Sequence, residues 1–174
     1  LPGVRLVPVP IARQINPRAD VRALLALFRH FRAGRFDVVH SVTPKAGLLA
    51  MAAARLAGVP HRIHCFTGQV WATRRGLGRS LLKAADRLIA ANATHILTDS
   101  HSQRTFLESE GVLDKGRADV LGHGSISGVD LERFRADDAA RTRVRDELGV
   151  PQQACLLLFV GRLNRDKGVL DLAQ

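Results

Sequence analysis

The chain alternates between short apolar segments and longer amphipathic segments, and this order strongly limits the possible folds. Residues 37–40, 62–66 and 94–98 have the length and composition of buried strands. Residues 45–57 and 77–91 lie between them and carry apolar side chains at helical spacing. Because short connections join each strand to the next helix, the pattern predicts an α/β fold, with a Rossmann-like parallel sheet and helices on both faces.

An amphipathic helix is predicted over residues 16–34. Asn16 can cap its N-terminus, Pro17 suits the first helical position, and Gly34 can close it. Its outer face is basic, through Arg22, Arg29, Arg32 and Arg35. This face is either a solvated surface or a contact with an anionic membrane.

Weaker sequence patterns predict two further strands and one further helix. Residues 1–10 contain three prolines and are predicted to form an edge strand or the exit from one. Residues 118–121 are predicted to form another short strand. Ser100 and Gln103 have the spacing of a capping box, which predicts a helix that ends at Gly111.

Composition narrows the class of protein and the kind of partner. Of the 174 residues, 46% are hydrophobic, which suits a globular domain rather than a disordered one. The net charge of +10 favours a polyanionic partner such as a phosphorylated substrate, nucleic acid or an anionic membrane. Cys65 and Cys155 are isolated in apolar surroundings and are predicted to be buried free thiols, which favours a reducing, cytoplasmic compartment.

The end of the chain has the pattern of an anion site. An apolar run at 155–160 predicts a buried strand, Gly161 breaks it, and residues 168–172 predict a first helical turn. Arg162 and Lys167 would place two cations beside that turn, which suits a diphosphate. The pattern is not a Walker A loop, because Gly168 follows Lys167 where a Ser or Thr is needed. The alternative is a plain strand–helix turn with solvated charges.

The same stretch resembles a known enzyme family. Val160-Gly161-Arg162-Leu163 followed by Asp166-Lys167-Gly168 is similar to the segment that opens the C-terminal domain of group 1 (family 4) glycosyltransferases of GT-B fold. The resemblance implies that Arg162 and Lys167 bind the diphosphate of a nucleotide-sugar donor. It also implies that residues 1–150 form an incomplete acceptor-side domain of Rossmann-like type, and that residues 151–174 begin the donor-binding domain. We therefore expect an internal fragment that is inactive by itself.

The loop after the strand at 37–40 is a candidate acceptor site, because ligands of open α/β sheets bind beyond the carboxyl ends of the strands. His40, Thr43 and Lys45 place an imidazole, a hydroxyl and an ammonium near a helix N-terminus. The alternative is a buried core histidine and a capping hydroxyl. The resemblance implies that Lys45 pairs with a phosphate of the acceptor.

The loop at 66–75 is a second candidate. Trp71 could stack on a sugar, and Thr67 and Gln69 could bind its hydroxyl groups; alternatively, Trp71 belongs to the core. Many members of the family have, at the position of Thr67, a His that contacts the donor sugar. In this chain a hydroxyl group would have to make that contact instead. Segments 43–47 and 67–73 together resemble enzymes that elongate undecaprenyl-diphosphate-linked saccharides.

The glycine-rich loop at 122–130 is the last candidate. The family usually carries Asn-Gly-Val-Asp here, and the resemblance implies that Asp130 lies near the domain hinge. Ser127 stands where Asn is common. The alternative is a flexible loop between domains.

Together these features predict a retaining glycosyltransferase. By resemblance it would use a nucleoside-diphosphate-sugar, with a UDP-sugar favoured, and a lipid-diphosphate-linked or saccharide acceptor. No metal and no cofactor are expected, and the catalytic residue is not identified. The expected location is cytoplasmic, with peripheral contact at the inner face of the plasma membrane. Two alternatives remain open: a basic nucleic-acid-binding module, or another nucleotide-sugar enzyme such as an epimerase.

Overall fold

The computed structural model describes residues 3–12, 14–125, 128–163 and 167–173. The chain divides into two compact units, Leu1–Gly128 and Val129–Gln174. This division falls in the glycine-rich loop rather than at residue 150. The assignment of acceptor-side and donor-side domains stays a prediction.

The first unit is built on a three-stranded parallel sheet. Strands β1 (Val38–Ser41), β2 (His61–Phe66) and β3 (His95–Thr98) lie in the order β1-β2-β3. Helix α2 (Pro44–Leu56) connects the first two strands, and helix α3 (Gly76–Asn92) connects the second and third. The predicted α/β class with a parallel sheet and packed helices is therefore confirmed.

Two more helices complete this unit. Helix α1 (Pro17–Gly34) precedes the sheet, and helix α4 (His101–Ser109) follows it. The predicted start of α1 is confirmed, because the Asn16 side chain accepts a hydrogen bond of 3.1 Å from the Ala19 N–H. The predicted cap of α4 is also confirmed: the Ser100 hydroxyl accepts a hydrogen bond of 3.1 Å from the Gln103 N–H.

The core of the first unit lies between the sheet and the helices. Phe66 and Ile96 of the sheet are buried together with Met51 of α2 and Ile89 of α3. A second cluster joins α1 to α2 through Ala23, Leu27, Leu49 and Ala53. Helix α2 thus packs against both α1 and α3, and this packing fixes its N-terminus next to the end of β1.

The two weaker strand predictions in this unit are not supported. Residues 3–10 form no regular structure, and Leu6 is 88% exposed. Pro8 and Pro10 have no N–H to donate, which weakens any pairing there. Residues 118–121 contribute only a single parallel bridge, between Leu97 and Asp119.

The described residues of the second unit form two helices, α5 (Asp138–Glu147) and the single turn α6 (Val169–Leu172). The predicted helical turn after Gly168 is confirmed. Arg145 is buried and donates hydrogen bonds to the carbonyls of Pro151 (2.6 Å) and Ala154 (2.9 Å). The guanidinium therefore fixes the chain that follows α5.

The predicted strand at 155–160 is wrong. These residues form no strand, and Leu157 and Leu158 are 75% and 78% exposed. A parallel strand needs a neighbour to receive its hydrogen bonds, and the described part of the second unit contains no strand that could pair with it. Cys155 is consequently exposed rather than buried, whereas Cys65 is buried as predicted.

Candidate functional site

The predicted acceptor-side and sugar-side residues of the first unit lie at the same edge of the sheet. Because β1, β2 and β3 are parallel, the loops that follow them leave from the same edge. Near the end of β1 lies His40, and Thr43 and Lys45 come after this strand. Thr67 and Gln69 follow β2, and Asp99 follows β3. The structure thus brings two of the candidate loops to one side of the domain.

The turn between β1 and α2 presents open donor groups. Thr43 is the N-cap of α2, yet its side chain makes no capping hydrogen bond, and Pro44 occupies the first turn. The early N–H groups of a helix have no intrahelical partner, so they are available to an anion. Thr43 and His40 are largely exposed and border the same cleft, of about 520 Å³.

Lys45 is held by helix α1. Its ammonium forms an ion pair of 2.7 Å with Asp20 and also donates to the carbonyl of Gln14. The hydrogen bond from Lys45 lowers the pKa of Asp20 below its ordinary value. A phosphate contact would therefore have to compete with, or add to, the pair with Asp20. The sequence reasoning missed Asp20, because nothing local to the Lys45 loop points to it.

A buried hydrogen bond lies behind this turn. The Ser41 hydroxyl is 2.8 Å from Nδ1 of His64, and both side chains are buried. Burial, together with a smaller effect of the nearby His40, lowers the pKa of His64 from 6.5 to about 4. Gly47 allows the contact, since a Cβ there would lie 2.5 Å from Cε1 of His64. His64 is thus the neutral, buried histidine of this region. His40 is exposed, so the alternative that His40 is a buried core histidine is not supported.

Trp71 does not offer its ring to a ligand, and the prediction that it stacks on a sugar is wrong for this structure. The side chain is completely buried, and its indole N–H donates to the Asp86 carboxylate at 2.7 Å. Its ring stacks on Phe106, with 5.4 Å between the centroids. Burial raises the pKa of Asp86, an effect that the bond from Trp71 opposes.

Charged side chains close the remaining side of Trp71. Arg79 and Lys83 lie 5.3 Å and 5.7 Å from the centre of its ring. Glu110 binds both cations, at 2.7 Å and 2.8 Å. Hydrogen bonds from Lys83 and Arg79 lower the pKa of Glu110. This cluster stabilises the loop after β2 rather than forming a binding surface.

Gln69 belongs to a polar group between the ends of β2 and β3. The Gln103 amide donates to Oε1 of Gln69 at 3.4 Å and accepts from the Asp99 N–H at 2.8 Å. Nε2 of Gln69 and Oδ1 of Asp99 are buried without a hydrogen-bond partner among the residues described. Gln69 is therefore positioned by α4, while Thr67 beside it is exposed.

The candidate residues of the second unit are Asp130, Arg162 and Lys167. Asp130 accepts hydrogen bonds from the N–H groups of Glu132 (3.1 Å) and Arg133 (3.0 Å), which forms a local turn. Arg162 and Lys167 are exposed. Their roles stay predictions, and the motif positions Asp166 and Ser127 lie outside the described residues.

No group of three or more His, Cys, Asp or Glu side chains in the described ranges of the chain could hold a metal ion. No helix in the same ranges is long and apolar enough to cross a membrane.

Comparison with known proteins identifies relatives across nearly the whole chain. The chain is 28% identical over 166 residues to the capsular polysaccharide biosynthesis glycosyltransferase CapM of Staphylococcus aureus. The match covers 95% of this chain and 43% of that protein. The chain is 28% identical over 176 residues to the UDP-Gal:alpha-D-GlcNAc-diphosphoundecaprenol alpha-1,3-galactosyltransferase of Escherichia coli, covering 99% and 44%. It is 35% identical over 143 residues to the D-inositol 3-phosphate glycosyltransferase of Frankia alni, covering 75% and 32%.

The chain spans less than half the length of these relatives. The family model of the glycosyl transferase 4-like domain matches residues 2–124, which include the sheet and the loops that follow β1 and β2. The expected membership in the family 4 glycosyltransferases of GT-B fold is therefore confirmed. The chain belongs to the glycosyl transferase 4-like domain family.

Proposed function

We propose that the whole protein is a retaining glycosyltransferase of cell-surface polysaccharide biosynthesis. It would move a sugar from a nucleoside-diphosphate-sugar to a lipid-diphosphate-linked or saccharide acceptor. The family match over residues 2–124 carries this proposal. It is supported by the position of the two acceptor-side loops at one edge of the sheet.

The N-terminus of α2 is the proposed site of the acceptor phosphate. The uncapped first turn offers backbone N–H groups, and Lys45 adds a positive charge within the same turn. The Escherichia coli relative is named for a diphosphoundecaprenol-linked acceptor. A lipid diphosphate bound here would attract the Lys45 ammonium away from Asp20, or share it.

Arg162 and Lys167 are proposed to hold the donor diphosphate. As the bond from the sugar to the donor phosphate breaks, negative charge builds on the leaving diphosphate, and two cations stabilise that charge. Thr67 and Gln69 are proposed to bind sugar hydroxyl groups, and Asp130 is proposed to lie near the domain hinge. A UDP-sugar is the favoured donor, as in the name of the Escherichia coli relative.

A lipid-linked acceptor places the proposed reaction at a membrane surface. We propose that the protein is cytoplasmic and makes peripheral contact with the inner face of the plasma membrane. The basic outer face of α1 is consistent with this contact, since Arg18, Arg22, Arg29 and Arg32 are all exposed there.

Calorimetric titration of UDP and GDP into the whole protein tests the donor side. With Arg162→Ala, the binding free energy should fall by about 1.5–3 kcal/mol, the value of a hydrogen bond to a charged group. Arg143→Ala is a matched control: Arg143 is an exposed arginine of the same unit and pairs with Glu147 on α5. Equal affinity in the wild type, Arg162→Ala and Arg143→Ala would contradict the proposal, as would a failure of both nucleotides to bind.

A further inference from the structure

Helix α3 carries an apolar stripe that the described residues of this chain leave uncovered. Leu77, Leu81 and Leu88 are 84%, 72% and 55% exposed. Their spacing places them on one side of the helix, and Ala84, also exposed, lies between them on the same side. Single exposed leucines are common, but a stripe along a whole helix is not.

The opposite side of α3 already provides its packing. Ile89 and Ala90 are buried in the core, and Asp86 is buried against Trp71. Packing of α3 onto the domain therefore accounts for one apolar face only. The stripe of Leu77, Leu81 and Leu88 needs a separate explanation.

The surroundings of the stripe are basic. Arg74 and Arg75 are exposed immediately before α3. Arg55 donates to the Ala91 carbonyl at 3.4 Å, and Arg87 donates to the Gly111 carbonyl at 2.8 Å. Both of these guanidinium groups are anchored near α3 by neutral carbonyls, so they keep their net positive charge.

Acidic groups near α3 do not offset this charge. Asp86 is the one acidic residue within α3, and it is buried. Among the described residues, Glu110 forms ion pairs with α3, and it offsets one of the two charges of Arg79 and Lys83. The exposed side of α3 therefore combines leucines with a net positive charge.

This combination favours an anionic membrane over a second copy of the chain. A second copy of the chain would bring the same arginines against each other, and like charges across an interface oppose association. An anionic lipid bilayer provides acyl chains for the leucines and negative headgroups for the arginines. We infer that α3 docks on an anionic membrane, with Leu77, Leu81 and Leu88 entering the boundary between headgroups and acyl chains.

This inference deepens the peripheral membrane contact of the proposed function, on which it rests, by assigning it to α3. Sedimentation of the whole protein with phosphatidylglycerol vesicles tests it, with phosphatidylcholine vesicles for comparison. Binding should be stronger to phosphatidylglycerol. Replacement of Leu77, Leu81 and Leu88 by Gln should weaken it about tenfold or more, since each leucine loses apolar burial in the membrane.

A matched control makes the same three changes elsewhere. Leu6, Leu148 and Leu163 are 88%, 64% and 81% exposed, and their replacement by Gln should leave vesicle binding unchanged. Arg74→Gln with Arg75→Gln should reduce the preference for phosphatidylglycerol. An equal loss of vesicle binding in both leucine variants, or unchanged vesicle binding in the α3 variant, would overturn the inference.

Sedimentation velocity separates the membrane from a second copy. A wild-type dimer that becomes monomeric in the α3 leucine variant would also overturn the inference. The affinity for UDP, measured on the same preparations, keeps the two proposals apart. Retained nucleotide binding without vesicle binding would refute the membrane inference alone. Vesicle binding without affinity for either UDP or GDP would refute the proposed function.

Discussion

The hydroxyl oxygen of Ser41 lies 2.8 Å from Nδ1 of His64, and both side chains are buried beside Gly47 of helix α2. This contact joins β1, β2 and α2 directly behind the turn that presents Thr43 and Lys45. The geometry of the candidate acceptor site therefore depends on a neutral histidine in the core.

Acidification should destabilise the domain through His64. Its pKa falls from 6.5 to about 4 on folding, so the unfolded chain binds more protons between these values. The contribution is complete above pH 6.5 and is lost as the pH falls towards 4, up to about 3 kcal/mol. Urea unfolding across this range should show the loss, and His64→Gln should flatten the dependence on pH. An unchanged slope in His64→Gln would contradict this assignment.

Gly47→Ala should destabilise the domain by about 1–3 kcal/mol, the usual effect of overpacking. The added Cβ would lie 2.5 Å from Cε1 and 2.8 Å from Nδ1 of His64, so it would disturb the bond to Ser41. Gly78→Ala in α3 is the matched control, because a Cβ there meets no atom within 4 Å. Thermal unfolding of both variants gives the comparison, and equal midpoints would refute the steric argument.

Trp71→Phe should cost about 1–3 kcal/mol, because it leaves the buried Asp86 carboxylate without its hydrogen-bond donor. The double change Trp71→Phe with Asp86→Leu removes both partners and should recover part of the loss. Unfolding followed by circular dichroism measures Trp71→Phe, Asp86→Leu and the double variant. A double variant whose loss of stability equals or exceeds the sum of the two single losses would contradict the assignment.

Lys45→Gln should weaken binding of a lipid-diphosphate acceptor, since the α2 turn loses its positive charge. Asp20→Asn should have the opposite effect, because Lys45 is then released from its ion pair. Lys115→Gln, at an exposed lysine in a distant loop, should change nothing. The Michaelis constant of the whole protein for its acceptor is the measurement. No difference between Lys45→Gln and Lys115→Gln would remove Lys45 from the site.

The parts of the fold set by local chemistry could be predicted from the sequence. The start of α1 is indicated by Asn16 and Pro17, and the start of α4 is indicated by Ser100 with Gln103. The parallel sheet follows from the regular alternation of strands and helices. These signals lie within a few residues of the structure that they determine.

The parts set by distant partners could not be predicted. Whether Trp71 faces a ligand or the core depends on Asp86 and Phe106, which later helices supply. The pair between Lys45 and Asp20 depends on how α1 packs against α2. The apolar run at 155–160 resembles a strand in isolation, but a strand exists only where a neighbour receives its hydrogen bonds.

Sugar transfer by the whole protein tests the central claim most directly. Incubation with a radiolabelled UDP-hexose and an undecaprenyl-diphosphate-linked saccharide should yield a labelled lipid product, with the anomeric configuration of the donor retained. Combined replacement of Arg162 and Lys167 by Ala should abolish or greatly reduce the label. Absence of transfer from UDP- and GDP-sugars to both lipid-linked and free saccharide acceptors would contradict the account.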